Sequence, residues 1–422
     1  MNKMGQTIAE KILSKSYGSP VKIGQFIEVQ PDWAFMIDDT VGLILKYLSQ
    51  AGVKKLNNPE RIALFYDHYA PAESAMNATD QRNGRIFAKE AGIKHFFDVG
   101  NGISHQIAIE KGIVLPGQIA FNTDSHTTTL GAVGCFGTGL GAAEMAYVWA
   151  TGKIWLRVPT TIKLVLEGNL VDGVDAKDIV LTLLGQLGSR AATYQSIEYH
   201  GSGLKNLGMS ARMTLCNMGV EMGAKTTFVP PDKITKMHYE KLGIKVEIED
   251  GCPDLDANYS RSVNLDLGSV VPMVACPHTV DNVAPANTLK KVKIDQAFLG
   301  SCTNGRLEDL QIAAKILSGK KISNHVRMIV TPASQKIYLD AINDGTVSVL
   351  IEAGCTITTP GCGACAGLHM GVLGDGETCI ASSSRNFKGR MGNRNSSVYI
   401  GSPATVAASA LLGCINDPRE LM

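Results

Sequence analysis

Apolar residues fall in short, regularly spaced blocks along the last third of the chain. Residues 292–299 (VKIDQAFL) and 325–331 (HVRMIVT) read as buried strands, and residues 307–317 and 335–343 carry helical spacing. Residues 347–351, 378–381 and 397–401 are predicted as further strands, and 404–412 as a closing helix. Strands alternating with helices predict an α/β unit with a largely parallel sheet. The Pro/Ala-rich stretch 283–287 (VAPAN) before it is the linker candidate. The first two-thirds mix the two periods less cleanly. Residues 61–65 and 163–166 predict strands, 175–187 a helix, and 208–223 one Met-rich helix. Residues 1–17 carry Glu10 and scattered lysines, so they predict a short first helix and not a signal peptide.

Composition narrows the class. A chain of 422 residues is too long for one compact domain, and 45% apolar with 19% charged residues is globular. A net charge of +1 gives no bulk field for nucleic acid or an anionic membrane. No apolar run approaches the roughly 18–20 residues of a membrane span, and a cytoplasmic, reducing location is expected. Ten cysteines are too dilute for a disulfide scaffold, so metal ligands, nucleophiles and buried thiols remain open for each.

The sharpest chemical signal is Cys302, Cys362 and Cys365. Cys302 stands in Gly300-Ser-Cys-Thr-Asn-Gly-Arg306, just after a predicted strand. Cys362 and Cys365 form a C-x2-C inside Pro360-Gly-Cys-Gly-Ala-Cys-Ala-Gly367. Flanking glycines let backbone amides approach sulfur and stabilise its charge. A zinc site would want a fourth Cys or His near by, a redox pair would leave Cys302 without a role, and three ordinary buried thiols are the bland alternative. Three thiolates holding an iron–sulfur cube would leave one iron open as a Lewis acid, which favours a non-redox reaction.

At this point the residues resemble a known family. GSCTNGR, PGCGACAG, Thr123-Asp-Ser-His-Thr127, Arg385-Asn-Phe-Lys-Gly-Arg390, Phe65-Tyr-Asp-His68 and Asn217-Met-Gly-Val-Glu221 resemble the aconitase superfamily, in its motif order. The length is similar to its stand-alone large subunits, those of the isopropylmalate dehydratase and homoaconitase branches. The resemblance implies three α/β domains around a [4Fe–4S] cluster, one per subunit, with the swivelling fourth domain absent. The expected limits are 1–130, 131–286 and 287–422, the first two domains interleaving. It implies cluster ligation by Cys302, Cys362 and Cys365. Asp124 with His126, Asp67 with His68, and His105 are expected beside the open iron and its water. Glu221 is expected by the leaving hydroxyl, Ser125 on substrate, and Arg385 and Arg390 on its carboxylates. The implied activity is reversible removal and re-addition of water on a 2-hydroxy dicarboxylate. 3-Isopropylmalate is the first choice, and a homoaconitase or 2,3-dimethylmalate substrate the alternative. In the family the base for the carbon-bound proton is a serine on the swivelling domain, so a small-subunit partner is implied, in a heterodimer or heterotetramer.

Each motif alone has a plainer reading. An isolated Asp-x-His is usually a satisfied turn, a lone Glu221 a helix-surface carboxylate, and a loop Arg pair two solvated cations. Gly137-Thr-Gly-Leu-Gly-Ala142 imitates a dinucleotide fingerprint and supports a remote NAD-dehydrogenase alternative. With no clean strand expected before it and no acidic residue at the ribose position, it is assigned to packing. Three positions depart from the family pattern: Ser384 stands where most relatives carry Asn, Ser104 where Cys is common, and Ile37 where a polar residue usually faces substrate.

Overall fold

The computed structural model describes residues 5–422, so positions 1–4 of the expected first helix lie outside the described residues. Three β-sheets dominate. The first has five parallel strands in the order His95–Phe97, Ile62–Phe65, Trp33–Ile37, Ile119–Asn122, Phe136–Gly139. The second has four parallel strands, Thr226–Phe228, Ser196–His200, Thr161–Glu167 and Arg261–Asp266. The third has seven. Ser397–Ile400, Thr378–Ala381, Gln296–Leu299, Arg327–Val330 and Thr356–Ile357 run parallel, and Met273–Ala275 and Val283–Pro285 add an antiparallel edge. A separate antiparallel ribbon pairs Phe26–Val29 with Ile154–Arg157.

Helices form where the pattern supplies both an apolar stripe and a stop. Ile8–Tyr17 opens with a reciprocal Thr7/Glu10 capping box and ends at the left-handed Gly18. Ala176–Leu187 starts on Asp175, whose carboxylate accepts the Lys177 amide, and buries Ile179, Val180, Leu183 and Leu184. One core runs through all three sheets, joining Phe35 and Phe65 to Leu164 and Tyr199 and to Phe298 and Ile400. The sheets therefore hold one another in place by shared apolar burial.

Several expectations change on contact with the structure. Residues 347–351 belong to the helix Thr346–Glu352, not a strand. Val347 and Leu350 turn inward while Ile351 is exposed, and the short strand Thr356–Ile357 fills the sheet edge instead. Five apolar residues carry too little period to tell the two apart. The linker candidate 283–287 is the edge strand Val283–Pro285 followed by a 3-10 turn. The Met-rich helix ends at Asn217 and continues as a 3-10 turn, Met218–Met222. The Gly137 run does have a strand, since it lies in Phe136–Gly139 and leads into the helix Ala142–Thr151. Its glycines are needed for contact: a Cβ on Gly137 would stand 2.2 Å from the Thr127 carbonyl oxygen, and one on Gly139 2.9 Å from that of Asp124.

Carboxyl ends of the parallel strands position the chemistry. Ile62–Phe65 leads into Asp67-His68, Ile119–Asn122 into Asp124, Gln296–Leu299 into Cys302, and Thr378–Ala381 into Ser384-Arg385. The 3-10 stretch Ser125–Val133, which carries His126, crosses the second sheet so closely that a Cβ on Gly131 would fall 1.5 Å from the Thr227 carbonyl oxygen.

A candidate iron–sulfur and acid–base site

Two loops bring three thiols into one buried nest. Ser301 takes a left-handed backbone (φ 74°), which turns the chain sharply into Cys302. Arg306 folds back over that loop, donating to the carbonyl oxygens of Cys302 at 2.9 Å and Thr303 at 2.7 Å. The Cys362 amide donates to the Asp67 carbonyl at 2.8 Å, tying the C-x2-C loop to the first sheet. Gly363 (φ 59°) has no room for a side chain, because a Cβ there would lie 2.4 Å from Thr331 Oγ1. The three sulfurs sense one another: the charge of Cys365 acts on Cys302, and that of Cys302 on Cys362. Burial pushes the Cys302 thiol up to about 12 and drives Cys362 upward too. Cys365 meets the same burial, yet the Arg390 guanidinium, Nη2 3.4 Å from its sulfur, brings it below the usual thiol range.

Beside the thiols runs a chain of acids and imidazoles. Asp67 Oδ1 lies 2.7 Å from His68 Nδ1, while its other oxygen accepts the Ser104 amide at 2.8 Å. His68 Nε2 reaches to 3.4 Å from Asp124 Oδ2 and also faces the Cys362 sulfur at 3.7 Å. Asp124 is the hub: His105 Nε2 lies 3.3 Å and His126 Nδ1 3.6 Å from its Oδ1. The far nitrogen of His126 lies 2.8 Å from Glu221 Oε1, which also accepts Arg385 Nε at 2.8 Å. Burial opposes charge at Asp124, His126 and Glu221, and their partners overcome it. His105 and His126 hold Asp124 well below the carboxylate range. His126 and Arg385 lower Glu221, and Asp124 and Glu221 raise His126 against both burial and the Arg385 charge.

All the predicted site residues but one fall in this thiol nest or its acid–imidazole chain. The exception is Ser125, which lines a neighbouring cavity with Thr123. The departures lie close by: Ser104 accepts from Asn122 at 3.1 Å through its hydroxyl, Ser384 is fully buried with a hydroxyl that has no partner among the described residues, and Ile37 is 2% exposed. Sequence reasoning missed Lys177 and Asp38. Lys177 is fully buried, donates to the Ser382 and Ser383 carbonyls at 2.8 and 2.9 Å, and turns its charge towards Cys302 and Cys365. The only signal was a lysine opening a wholly apolar helix face. Asp38 gathers the amides of Asp67, His68 and Tyr69 and so fixes the Asp67-His68 turn.

The donor set suits an iron–sulfur cluster. Soft thiolates are its protein ligands, and an anionic cluster needs the positive groups found here, Arg390, Lys177 and His68. Among the described residues one Asp/His/Cys group, Asp67, His68 and Cys362, lies within the spacing of a simple metal site. Asp67 is already bound to His68 and to the Ser104 amide, so that trio reads as support for the thiol nest.

Relatives share this chain from end to end. The profile of the aconitase family (aconitate hydratase) matches residues 10–291 and 282–413. The 3-isopropylmalate dehydratase large subunit 1 of Methanopyrus kandleri is 47% identical over 419 residues, covering 99% of this chain and all of the relative. The protein of the same name from Thermotoga maritima is 44% identical, again over 99% of this chain and all of its own length. A probable methanogen homoaconitase large subunit of Methanosarcina mazei is 45% identical over 92% of this chain and 99% of the relative. With its motifs folded into one site and its length matched by such relatives, the chain belongs to the aconitase family.

Proposed function

We propose that this chain is the catalytic large subunit of a [4Fe–4S] hydro-lyase that interconverts 3-isopropylmalate and 2-isopropylmalate, in the cytoplasm, with a separate small subunit. The full-length relatives bearing that name support the substrate and the partner. The observation that carries the chemistry is the continuous run from the thiol nest through His68 and Asp124 to His126, Glu221 and Arg385. Cys302, Cys362 and Cys365 would hold one cluster by three of its irons. When bound, that cluster supplies a Lewis-acidic iron that polarises a hydroxyl. The three sheets support three α/β domains, one around each.

The chain's own residues handle the proton and the carboxylates. Loss of water needs a proton on the departing hydroxyl. His126, set between two carboxylates, favours the imidazolium form that can give one, and Glu221 stabilises that charge. The three imidazoles around Asp124 share its negative charge, which allows the same set to take the proton back when water returns in the opposite orientation. Such acid–base help is worth about 10²–10⁴ in rate. Arg385 is anchored through Nε and keeps its terminal nitrogens for a substrate carboxylate, and Arg390 stands at the thiol nest for another. The base for the carbon-bound proton is assigned to the small subunit.

The test is anaerobic reconstitution of this chain with iron and sulfide, alone and with its small subunit. Each preparation is assayed on isopropylmalate, homocitrate, dimethylmalate and citrate. The expected result is a brown but inactive single chain and a mixed pair that turns over isopropylmalate fastest. Preference for homocitrate would favour the second reading, a homoaconitase, which the Methanosarcina relative keeps open. A colourless preparation would overturn the cluster assignment.

A further inference from the structure

A lysine is almost never fully buried without a paired charge, yet Lys177 is. It stands at the start of the helix Ala176–Leu187. Its amine donates to the Ser382 and Ser383 carbonyl oxygens at 2.8 and 2.9 Å, and its third proton has no acceptor among the described residues. The nearest acids are engaged elsewhere. Asp175 accepts the Lys177 backbone amide at 2.7 Å, not the amine. Asp178 accepts the amides of Met273 and Asp175 at 2.8 and 3.0 Å. Asp309 takes the Arg306 amide and the Asn304 side chain, both at 3.0 Å. Burial raises all three carboxyls, and the Asp309 charge raises Asp175 further while the Asp175 charge raises Asp178. Acids pushed towards their neutral forms leave the lysine's charge only partly met.

What remains close to the amine is the thiol nest. Ser382 is the link. Its hydroxyl accepts the Gly300 amide at 3.0 Å and faces the Gly300 and Asn304 carbonyl oxygens at 3.1 and 3.3 Å, so it holds the loop on both sides of Cys302. Lys177 grips the backbone of that same serine and makes no hydrogen bond to a sulfur among the described residues. Burial lowers the amine to about 8, while the charges of Asp175, Asp309, Cys302 and Cys365 favour its protonated form. Of these groups, the thiols are the ones that binding iron keeps ionised.

We infer that Lys177 is the buried countercharge of the proposed cluster, a positioning residue that sets how readily the cluster accepts an electron. This rests on the three-cysteine cluster reading and goes beyond it. A fixed positive charge in a water-poor surround stabilises the more negative form of a cluster and so raises its reduction potential. Arg390 does this at Cys365 by direct contact, with Nη2 3.4 Å from the sulfur, whereas Lys177 does it from behind the Cys302 loop. The charge also makes the cluster harder to oxidise, which suits one that serves a reaction moving no electron.

The experiment uses the anaerobically reconstituted large–small pair with the wild-type chain, Lys177→Gln and Lys177→Arg. Glutamine keeps a donor for the Ser382 and Ser383 carbonyls and removes the charge, while arginine keeps the charge. Cluster content is read by visible absorbance. The midpoint potential of one-electron reduction is read by dithionite titration followed by electron paramagnetic resonance. The expected result in Lys177→Gln is a reduction equilibrium less favourable by about tenfold or more, equivalent to about 59 mV or more for one electron, with Lys177→Arg close to wild type. An unchanged potential in Lys177→Gln would overturn the inference and leave the lysine a tether for Ser382 and Ser383. An equal drop in Lys177→Arg would overturn it too, since the charge is kept there. Cluster uptake by Lys177→Arg but not by Lys177→Gln would uphold it through content instead of potential. Failure of both variants to take up a cluster would count against it, by assigning Lys177 to folding. A colourless wild-type pair would sink the cluster reading itself, which keeps the two failures apart.

Discussion

At the residue scale the site is a problem of buried charge. Glu221 is the joint between acid–base work and carboxylate binding, because one oxygen takes both His126 Nε2 and Arg385 Nε. Glu221→Gln keeps the shape and removes the charge. The expected outcome is a fall in kcat of about 10²–10⁴ with a full complement of cluster, measured by steady-state kinetics of the reconstituted pair. Serine at Cys302, Cys362 or Cys365 is expected to abolish the visible absorbance of the cluster together with turnover, since a hydroxyl is a poor ligand for iron–sulfur irons. Normal absorbance in all three variants would break the ligand assignment. Away from the site, Arg212 is fully buried and holds Asp232 through two bonds of 2.7 and 2.6 Å while donating to the Leu204 and Leu207 carbonyls. Arg212→Met leaves those acceptors bare and should cost about 3–5 kcal/mol, read from urea unfolding.

At the element scale, close approach decides more than propensity does. The 3-10 stretch Ser125–Val133 carries His126 and rests against Thr226–Phe228 with no space at Gly131. Gly131→Ala is therefore expected to destabilise by about 3 kcal/mol or more and to displace His126 from Glu221. Unfolding midpoints and a reduced kcat at equal cluster content check both effects. Helix caps are set by short side chains in the sequence, as at Asp175, Asp232 and Ser334. Asp232 caps Lys233–Lys241 and pairs with Arg212, and these partners outweigh burial to hold its carboxyl below the usual range. A depressed carboxylate contributes stability above its unfolded value near 3.9, and that contribution fades as pH falls through its lower folded value. Asp232→Asn should thus be less stable than wild type at neutral pH, the gap closing in acid below about pH 4. A gap that stayed constant with pH would contradict the pairing.

At the whole-molecule scale, the first and third sheets turn the carboxyl ends of their strands to one place, and a common core ties the second sheet to both. Removing the cluster is expected to loosen that meeting point more than the sheets, because it would tie loops of the third sheet to Asp67, His68 and Asp124 on the first. Amide exchange of the apo and reconstituted chains should differ most at 300–306 and 360–367 and least in Gln296–Leu299 and Ile119–Asn122. Uniform change throughout would count against a local role. Among the described residues no helix is long and apolar enough to cross a membrane.

Much of this was written in the chain itself. The helices at 307–317 and 335–343 and the strand at 378–381 match to the residue, because apolar period and caps agree there. That the two cysteine loops come together was legible because both are Gly-rich and stand at strand ends. The helix at 346–352 was not, since its five-residue apolar run fits a strand as well and only the occupied sheet edge excludes one. Nor was Lys177. A lysine in sequence looks solvated, and only the packing of distant segments buries this one near the thiols. Local pattern fixed the elements and supplied the reactive side chains. Which of those side chains share a charge or a hydrogen bond was decided largely by contacts between distant residues, 95 positions apart for His126 and Glu221 and 294 for His68 and Cys362. Such contacts arise from how whole sheets pack, and no window of the sequence contains both partners.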